Sequence, residues 1–371
     1  MKRELKLFAS TAPGLEPIAH AEIRALGVEK ARVVPGGVEL SADRGLTHRL
    51  LLELRTVSHL LVRVATFRAD HFERLEREVK KIDWPAWLVP GVPRKPRATT
   101  EKSRLYHTDA ITERLAKWIG EALGDGEAAQ GDAPIGIAAR LVHDEVTLSI
   151  DLSGEPLHRR GYRLDPGGAP LREDLAAALV IASGWDRVTP LIDPMCGSGT
   201  IAIEAAMLAT RRAPGLARSF AIERTRLANG ADIERARRAA RAAQLDVSPR
   251  VLAFDRDARA AARTRDNATR AGVAIEVEAI PLSSIVVEPL VGTRPVVVTN
   301  PPWGERLGEG AGAGLDRLHG ALGTFVTRLG PGARLAVIAH DARLARSVRL
   351  PLHSAFLTDA GGLKVHALVS D

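Results

Sequence analysis

After residue 170, short apolar segments alternate with longer amphipathic ones, and this alternation restricts the fold more than any other feature of the chain. Strand-like segments lie at 190–193, 251–255, 296–300 and 335–340, and helical periodicity occurs between them at 201–209, 258–271 and 315–329. Strands that alternate with helices predict βαβ units in a parallel sheet that helices cover on both faces. We therefore expect an α/β fold for the C-terminal part of the chain.

The residues before this region have a different organisation. A strand-like run at 5–9 precedes helical spacing at 17–26, and further helical segments lie at 46–54, 72–81 and 108–123. Strand patterns occur at 60–67 and in a pair at 137–141 and 145–151. These patterns predict α+β structure ahead of the parallel sheet.

The charge of the chain says little about its partner. Lysine and arginine number 52 against 45 aspartate and glutamate, a formal charge of +7; this suits a polyanion but also fits a generic basic surface. The segment 89–104 is rich in proline and basic residues, which predicts an exposed basic loop or an edge strand. Phosphate contacts and solvated charge are equal alternatives for the candidate RNA-binding residues Arg94, Lys95, Arg97, Arg159 and Arg160.

Cysteine use and hydropathy argue against several classes of protein. The single cysteine, Cys196, rules out an intrachain disulfide and a cysteine-based metal site. His107, His143 and His158 lack metal-ligand spacing, so no metal is expected. The chain has no run of about 18 apolar residues and no signal-like N-terminus. We expect a cytoplasmic protein without a membrane-spanning segment.

A glycine-containing loop follows the first strand of the alternating region. Asp193 stands at the strand end, and a helix is expected from residue 201. Glycines let the backbone approach a bound ligand closely, and the acid can accept a hydroxyl or cationic group. It is not a Walker loop, because no Gly-Lys-Ser/Thr follows. The pattern predicts a nucleotide-type ligand site at Asp193, Pro194, Cys196, Gly197, Ser198, Gly199 and Thr200.

A second acid, Asp255, ends the next strand, where an acid of a doubly wound fold typically holds a ribose hydroxyl. Asp257 lies two residues further on, and a helix N-cap is the favoured interpretation of that side chain. Asp255, together with its neighbour Arg256, is therefore the predicted contact to a sugar.

The strand at 296–300 ends in a rigid turn, Asn300-Pro301-Pro302-Trp303. Open α/β sheets bind ligands at this edge, and the two prolines fix the backbone so that the Asn300 oxygens can be held toward one point. Trp303 offers a flat surface on which an extruded base can stack. Hydrogen bonds from an aryl amine to such oxygens favour the geometry that attacks a sulfonium methyl. An ordinary strand-ending turn with Trp303 in the core is the alternative.

These motifs resemble those of the THUMP-domain guanine-N2 RNA methyltransferases. The resemblance rests on residues 193–200, on the turn after residue 299 with its continuation at 304–308, and on the strings at 151–163 and 169–176. It extends from about residue 8 to about residue 330 and is strongest after Asp151. Many members carry an acid after the third strand that accepts the adenine amine, whereas residues 280–284 fill that place here without one.

The resemblance implies three domains: a ferredoxin-like segment at 1–58, a THUMP RNA-binding domain at 59–155 and a Rossmann-like methyltransferase domain at 156–371. It implies S-adenosylmethionine as cofactor, with S-adenosylhomocysteine as its product. The reaction would form N2-methylguanosine in structured RNA, with 23S ribosomal RNA as first choice and tRNA as second. The implied cofactor residues are Asp193, Gly197, Gly199, Thr200, Asp255, Leu171 and Arg172, and the implied base-binding residues are Asn300, Pro301 and Trp303.

Two rival functions stay open at this point. A DNA N6-adenine methyltransferase would use the same Asn-Pro-Pro-aromatic chemistry on a flipped base. A non-catalytic RNA-binding factor with a degenerate cofactor pocket would explain the missing acid after the third strand.

Overall fold

The computed structural model describes residues 4–125, 133–164, 171–247, 250–303 and 311–371. Two segments that carry part of the family resemblance, 169–170 and 304–308, lie outside these residues. The chain divides into two compact units. The first comprises Met1–Thr11, His20–Leu157 and Gly215–Ala240, and the second comprises Ala12–Ala19, His158–Pro214 and Arg241–Asp371.

In the first unit, seven strands form one sheet. They are β1 (Leu5–Ser10), β2 (Ala31–Val34), β3 (Gly37–Ala42), β4 (His59–Arg68), β5 (Arg94–Glu101), β6 (Ile135–Val142) and β7 (Glu145–Asp151). Their order is β2-β3-β1-β4-β7-β6-β5, and neighbours are antiparallel except β5 and β6. The helices are α1 (Glu16–Ala25), which begins in the second unit, α2 (Arg44–Glu53), α3 (Phe72–Lys80) and α4 (Thr108–Leu123).

The predicted domain boundaries at 58/59 and 155/156 stay predictions. Strand β4, which follows the first of them, pairs along β1 from Leu7↔Val62 to Ser10↔His59. The two predicted N-terminal domains therefore share one sheet in this unit.

The second unit is built on another seven-stranded sheet. Its strands are β8 (Leu191–Asp193), β9 (Val251–Phe254), β10 (Glu276–Glu278), β11 (Val296–Thr299), β12 (Arg334–Ala339), β13 (His353–Ala360) and β14 (Leu363–Val369). The order is β10-β9-β8-β11-β12-β14-β13, parallel from β10 to β12, with β14 antiparallel to both of its neighbours. The helices are α5 (Glu173–Ala182), α6 (Thr200–Ala209), α8 (Ala258–Ala271), α9 (Ala311–Arg328) and α10 (Ala342–Ser347), while α7 (Gly230–Ala242) lies mostly in the first unit.

Continuous apolar runs explain the central strands of the second unit. Every residue of β8, β9 and β11 is buried, because strands of a parallel sheet are covered on both faces. Helix α8 begins where the Asp257 side chain accepts from the Arg259 backbone N–H, and it ends at Gly272 with φ of +66°. The parallel sheet predicted from the alternating pattern is confirmed, and so is Asp257 as a helix cap.

The order of the strands determines where a ligand can bind. From the central strand β8 the sheet continues to β9 on one side and to β11 on the other, so the strand order reverses between β8 and β11. Ligands of open α/β sheets bind in the crevice outside the carboxyl ends of the strands at such a switch point. The loop that starts at Asp193 follows β8, and the turn that starts at Asn300 follows β11.

Candidate active site

Residues 194–199, the loop between β8 and α6, form a glycine cradle whose backbone geometry suits close contact with a ligand. Gly197 and Gly199 have φ of +57° and +83°, a region that glycine adopts without strain. A Cβ at Gly199 would lie 2.6 Å from Thr264 Cγ2, whereas a Cβ at Gly197 would meet no heavy atom within 4 Å among the described residues. The Gly197 backbone therefore borders open space, as a loop that lies against a nucleotide-type ligand requires.

Asp193 is buried at the end of β8 and faces the neighbouring strand. Its Oδ1 accepts from Thr299 Oγ1 at 2.9 Å and from the Met195 backbone N–H at 3.3 Å. Burial raises the pKa of this carboxyl from its ordinary range to about 7. The side chain thus ties the loop to β11, the strand that carries the Asn300 turn, and its predicted direct contact to a cofactor stays a prediction.

The raised pKa of Asp193 predicts a pH-dependent stability. The unfolded chain ionises this carboxyl near pH 4 and the folded chain only near pH 7, so ionisation of the buried group costs folding free energy as pH rises between these values. We therefore compare the free energy of unfolding of Asp193→Asn with that of wild type at pH 5 and at pH 8. We expect this difference to change in favour of the variant by up to roughly 2 kcal/mol between the two pH values. Chemical denaturation without cofactor measures this, with Asp266→Asn on the exposed face of α8 as control. A difference in stability that is the same at both pH values would contradict the assignment.

Asp255 connects the cradle to the start of α8. Its Oδ2 accepts from the Gly197 backbone N–H at 2.9 Å, and its Oδ1 accepts from the Asp257 backbone N–H at 2.9 Å. The residue is half-buried, and each carboxylate oxygen can accept a second hydrogen bond, so Asp255 can still hold a hydroxyl. The neighbouring Arg256 is exposed.

Two buried polar residues of α8 donate hydrogen bonds to backbone carbonyls of the cradle. Neither of them was predicted from the sequence. Thr264 Oγ1 donates to the Gly197 carbonyl at 3.0 Å, and Asn267 Nδ2 donates to the Ser198 carbonyl at 2.9 Å. Cys196 Sγ lies 3.5 Å from Thr264 Oγ1, and burial raises the pKa of this thiol, so it stays protonated and packs in the core. The other predicted loop residues, Pro194, Ser198 and Thr200, are buried.

Arg163 connects the segment of the implied cofactor residues Leu171 and Arg172 to the start of α6. Its Nη1 donates to the Leu171 carbonyl at 3.0 Å and to Thr200 Oγ1 at 3.3 Å, while its Nη2 lies 3.0 Å from Glu173 Oε2. Burial raises the pKa of Glu173 to about 7. The Leu171 side chain packs in the core, and Arg172 forms an ion pair with Asp174. Arg163 therefore positions this segment, a role that residue type alone had not indicated.

Arg160 is buried, which corrects the prediction that it contacts phosphate. Its Nε lies 3.3 Å from Glu204 Oε1 on α6, and Tyr162 Oη donates to the same oxygen at 3.3 Å. The side chains of Arg160 and Glu204 are 1% and 0% exposed. A guanidinium that is screened from solvent and paired inside one unit cannot serve as an RNA contact.

The other predicted RNA contacts are partly exposed and partly buried, and on β5 the alternation of side chains along the strand decides which. Residues 89–104 were predicted to form an exposed basic loop or an edge strand. Strand β5 lies at the edge of the first sheet, which agrees with the second of these. Its side chains alternate, so Lys95 and Arg97 are exposed, whereas Arg94 is buried and pairs with Asp125 at 2.6 Å. Arg94 is thus also unsuited to a phosphate contact. Arg159 is exposed.

The turn after β11 brings two of the predicted residues into direct contact. Trp303 Nε1 donates to Asn300 Oδ1 at 3.1 Å, which orients both side chains. Trp303 is half-buried and packs against the core of the second unit, so it has part of the core role considered as the alternative. Pro301 is buried and Pro302 is exposed. Because β8 and β11 are parallel neighbours, this turn and the glycine cradle lie at the same edge of the sheet.

The segment in place of the missing acid follows β10. Ile280 and Leu282 pack against an apolar cluster of the second unit, while Ser283 and Ser284 are exposed.

The described residues contain no group of three or more side chains able to hold a metal ion. In the same part of the chain no helix is long and apolar enough to cross a membrane.

Similar solved structures cover nearly the whole chain. A predicted N6-adenine-specific DNA methylase from Listeria monocytogenes str. 4b F2365 is 29% identical, with a TM-score of 0.88 over 98% of this chain and 96% of that chain. SMU.472, a candidate methyltransferase in complex with SAH, is 28% identical, with a TM-score of 0.88 over 100% of this chain and 98% of that chain. TrmN from Thermus thermophilus, at 21% identity, shares the fold, with a TM-score of 0.73 over 99% of each chain.

Two family models match the sequence. The model of the RlmL ferredoxin-like domain matches residues 6–61, and the model of the UPF0020 family, described as RMKL-like, methyltransferase domain, matches residues 160–350. These matches agree with the predicted ferredoxin-like segment and with the Rossmann-like domain that contains the cradle and the Asn300 turn. The chain belongs to the RMKL-like methyltransferase family and is an S-adenosylmethionine-dependent methyltransferase of mixed α/β fold.

Proposed function

We propose that this protein methylates the exocyclic N2 amine of a guanine in structured RNA, with 23S ribosomal RNA as the first substrate to test and tRNA as the second. The observation that carries the proposal is the Asn300–Trp303 contact at the carboxyl end of β11, beside the glycine cradle after β8. The match of residues 6–61 to the RlmL ferredoxin-like domain, and the resemblance to the THUMP-domain guanine-N2 RNA methyltransferases, favour RNA over DNA.

The residues of the Asn300 turn fit the binding of a flipped base. A base inside a duplex is out of reach, so its extrusion requires a surface for stacking, which Trp303 offers. Asn300 Oδ1 accepts one hydrogen bond from Trp303 and retains a second lone pair, and the Asn300 backbone carbonyl is a further acceptor. Two acceptors on one residue can hold the hydrogens of an aryl amine so that its nitrogen lone pair is directed away from the ring plane.

The cradle supplies the other half of the reaction geometry. When bound there, S-adenosylmethionine supplies a methyl group on a positively charged sulfur. The Gly197 backbone allows close approach, Asp255 can accept from a ribose hydroxyl, and Arg163 fixes the segment at Leu171 and Thr200. The amine nitrogen would take the methyl carbon of the bound cofactor as the carbon–sulfur bond breaks, S-adenosylhomocysteine would leave, and the surplus proton of the nitrogen would pass to water. The residues of the cradle and the turn would supply alignment more than acid or base strength.

The first unit is the proposed RNA-binding part. We propose residues 59–155 as its THUMP domain, with Lys95 and Arg97 on the exposed side of β5 as phosphate contacts. The exposed Arg159, which belongs to the second unit, is a separate proposed phosphate contact. Such contacts supply affinity that falls with salt but no choice of sequence. The choice of guanosine then depends on RNA shape and on the pocket at Asn300 and Trp303.

Methyl transfer from labelled S-adenosylmethionine tests the class of nucleic acid. The purified protein is incubated in parallel with ribosomal RNA and tRNA from a strain that lacks its gene, and with DNA from the same strain. We expect label in one of the RNA fractions and background label in DNA. Label in DNA alone would favour N6-adenine methylation, the activity predicted for the Listeria relative.

The family match sets aside the non-catalytic RNA-binding factor, because the chain belongs to a methyltransferase family. The segment at 280–284 lacks an acid, so it offers no carboxylate to the adenine amine of the cofactor. We expect calorimetry with S-adenosylmethionine to show binding in the micromolar range. A protein that binds neither S-adenosylmethionine nor S-adenosylhomocysteine would contradict the proposed cofactor site.

A further inference from the structure

His340 lies at the edge of the candidate active site, next to the turn after β11. It follows β12, which pairs in parallel with β11 in the register Thr299↔Val337. Carboxyl ends of parallel neighbours meet at one edge, so His340 lies beside the turn that carries Asn300 and Trp303. The centroids of the His340 and Trp303 rings are 6.2 Å apart, and the ring planes are tilted by 39°.

The His340 ring has an unsatisfied polar atom. Nδ1 is screened from solvent and has no hydrogen-bond partner among the residues that the structure describes. A buried polar atom without a partner costs about 1–3 kcal/mol, and a hydrogen bond to a bound ligand would remove this cost. His319, the nearby buried histidine on α9, differs in this respect, because its Nδ1 bonds to the Leu315 carbonyl at 2.9 Å.

The polar groups described so far at this edge offer a hydrogen-bond partner to the exocyclic amine of a base but none to the ring nitrogen beside it. Trp303 provides a stacking surface, and Asn300 provides acceptors for an exocyclic amine. A purine also has a ring nitrogen beside that amine, and in guanine this nitrogen carries a hydrogen that needs an acceptor. A neutral imidazole presents an acceptor nitrogen and a donor nitrogen, which permits it to match such an edge.

We infer that His340 is a base-contacting residue, and that rotation of its side chain on binding brings Nδ1, which is covered in this structure, to the hydrogen-bonding edge of the purine held at Asn300 and Trp303. The inference rests on the proposed function, since it takes this turn as the place where the target base binds. It assigns to His340 a share in choosing the base, next to the stacking surface that Trp303 supplies to any base.

Two substitutions separate this role from simple packing against Trp303. His340→Asn keeps a polar atom at the distance of Nδ1 from the backbone, and His340→Phe keeps the ring but removes both nitrogens. A base contact predicts that the Phe variant loses about tenfold in kcat/KM, the size of one hydrogen bond, and that the Asn variant loses less. Packing alone predicts the reverse order, because Phe preserves the ring contact.

The experiment measures kcat/KM of wild type and both variants on whichever nucleic acid the wild type methylates, together with thermal stability and calorimetric affinity for S-adenosylhomocysteine. Unchanged cofactor affinity with the order wild type, Asn, Phe would support the inference. An active wild type with Phe equal to or better than Asn would overturn the inference and leave the proposed function intact. A wild type that methylates neither RNA nor DNA would overturn both.

Discussion

Asn300→Ala is expected to lower the rate of methyl transfer by about 10²–10³-fold, the effect of removing one preorganised polar group from a transition state. The amide oxygen is lost, and Trp303 Nε1 loses its acceptor at 3.1 Å, so the stacking surface is also less well fixed. The cradle after β8 is untouched by the substitution. Affinity for S-adenosylmethionine should therefore change by less than about twofold, so that the loss appears in kcat.

Asn300→Asp is the matched control for this prediction. It keeps an oxygen acceptor at the same place but replaces the amide NH2 with a second oxygen and adds a negative charge, and it should retain more activity than the alanine variant because the acceptor remains. Single-turnover rates and calorimetry on both variants separate chemistry from cofactor binding. Full activity of Asn300→Ala would mean that the side chain does not hold the reacting amine.

Arg160→Ala is expected to destabilise the protein by about 3–5 kcal/mol, because it leaves the Glu204 carboxylate buried without its cationic partner. Both side chains are almost fully screened from solvent, and Tyr162 donates to the same Glu204 oxygen. Urea denaturation measures the loss. The exposed neighbour provides a control, since Arg159→Ala should stay within about 0.5 kcal/mol of wild type.

A double substitution tests the physical reason for this loss. Arg160→Met combined with Glu204→Leu removes both charges and fills similar volume, and replacement of a buried ion pair in this way is often neutral or stabilising. We expect the double variant to regain most of the stability that Arg160→Ala loses. A double variant as unstable as the single one would show that the unpaired Glu204 charge is not the main cause of the loss, once the lost Tyr162 hydrogen bond to Glu204 is measured with Tyr162→Phe in both backgrounds.

The periodic parts of the fold could be predicted from sequence, and the reason is physical. The runs that became β9 and β11 are apolar without interruption, as both faces of a parallel strand are covered. For Asp257 the sequence allowed a helix N-cap or a ligand contact, and the hydrogen bond from the Arg259 backbone N–H shows that it caps α8. The shared sheet of β1 and β4 could not be predicted, because pairing between distant strands leaves no local pattern.

The sequence predicted the loop and the turn that lie at one edge of the sheet, but it did not predict which side chains their residues pair with. The sequence indicated Asn300 and the glycine cradle, since their chemistry depends on neighbouring residues in the chain. Charge alone could not distinguish Arg160, buried against Glu204, from Arg159, which is exposed. His340, which we propose as a base contact, is not among the site residues predicted from sequence, because its place at the end of the strand next to β11 depends on the order of strands in the sheet.

The identity of the methylated nucleoside tests the central claim most directly. RNA labelled by the wild type is digested to nucleosides and resolved by chromatography with mass spectrometry, alongside RNA treated with Asn300→Ala. We predict N2-methylguanosine as the labelled nucleoside in the wild-type sample and its near absence in the variant sample. N6-methyladenosine as the labelled product, or N2-methylguanosine at equal levels in both samples, would contradict it.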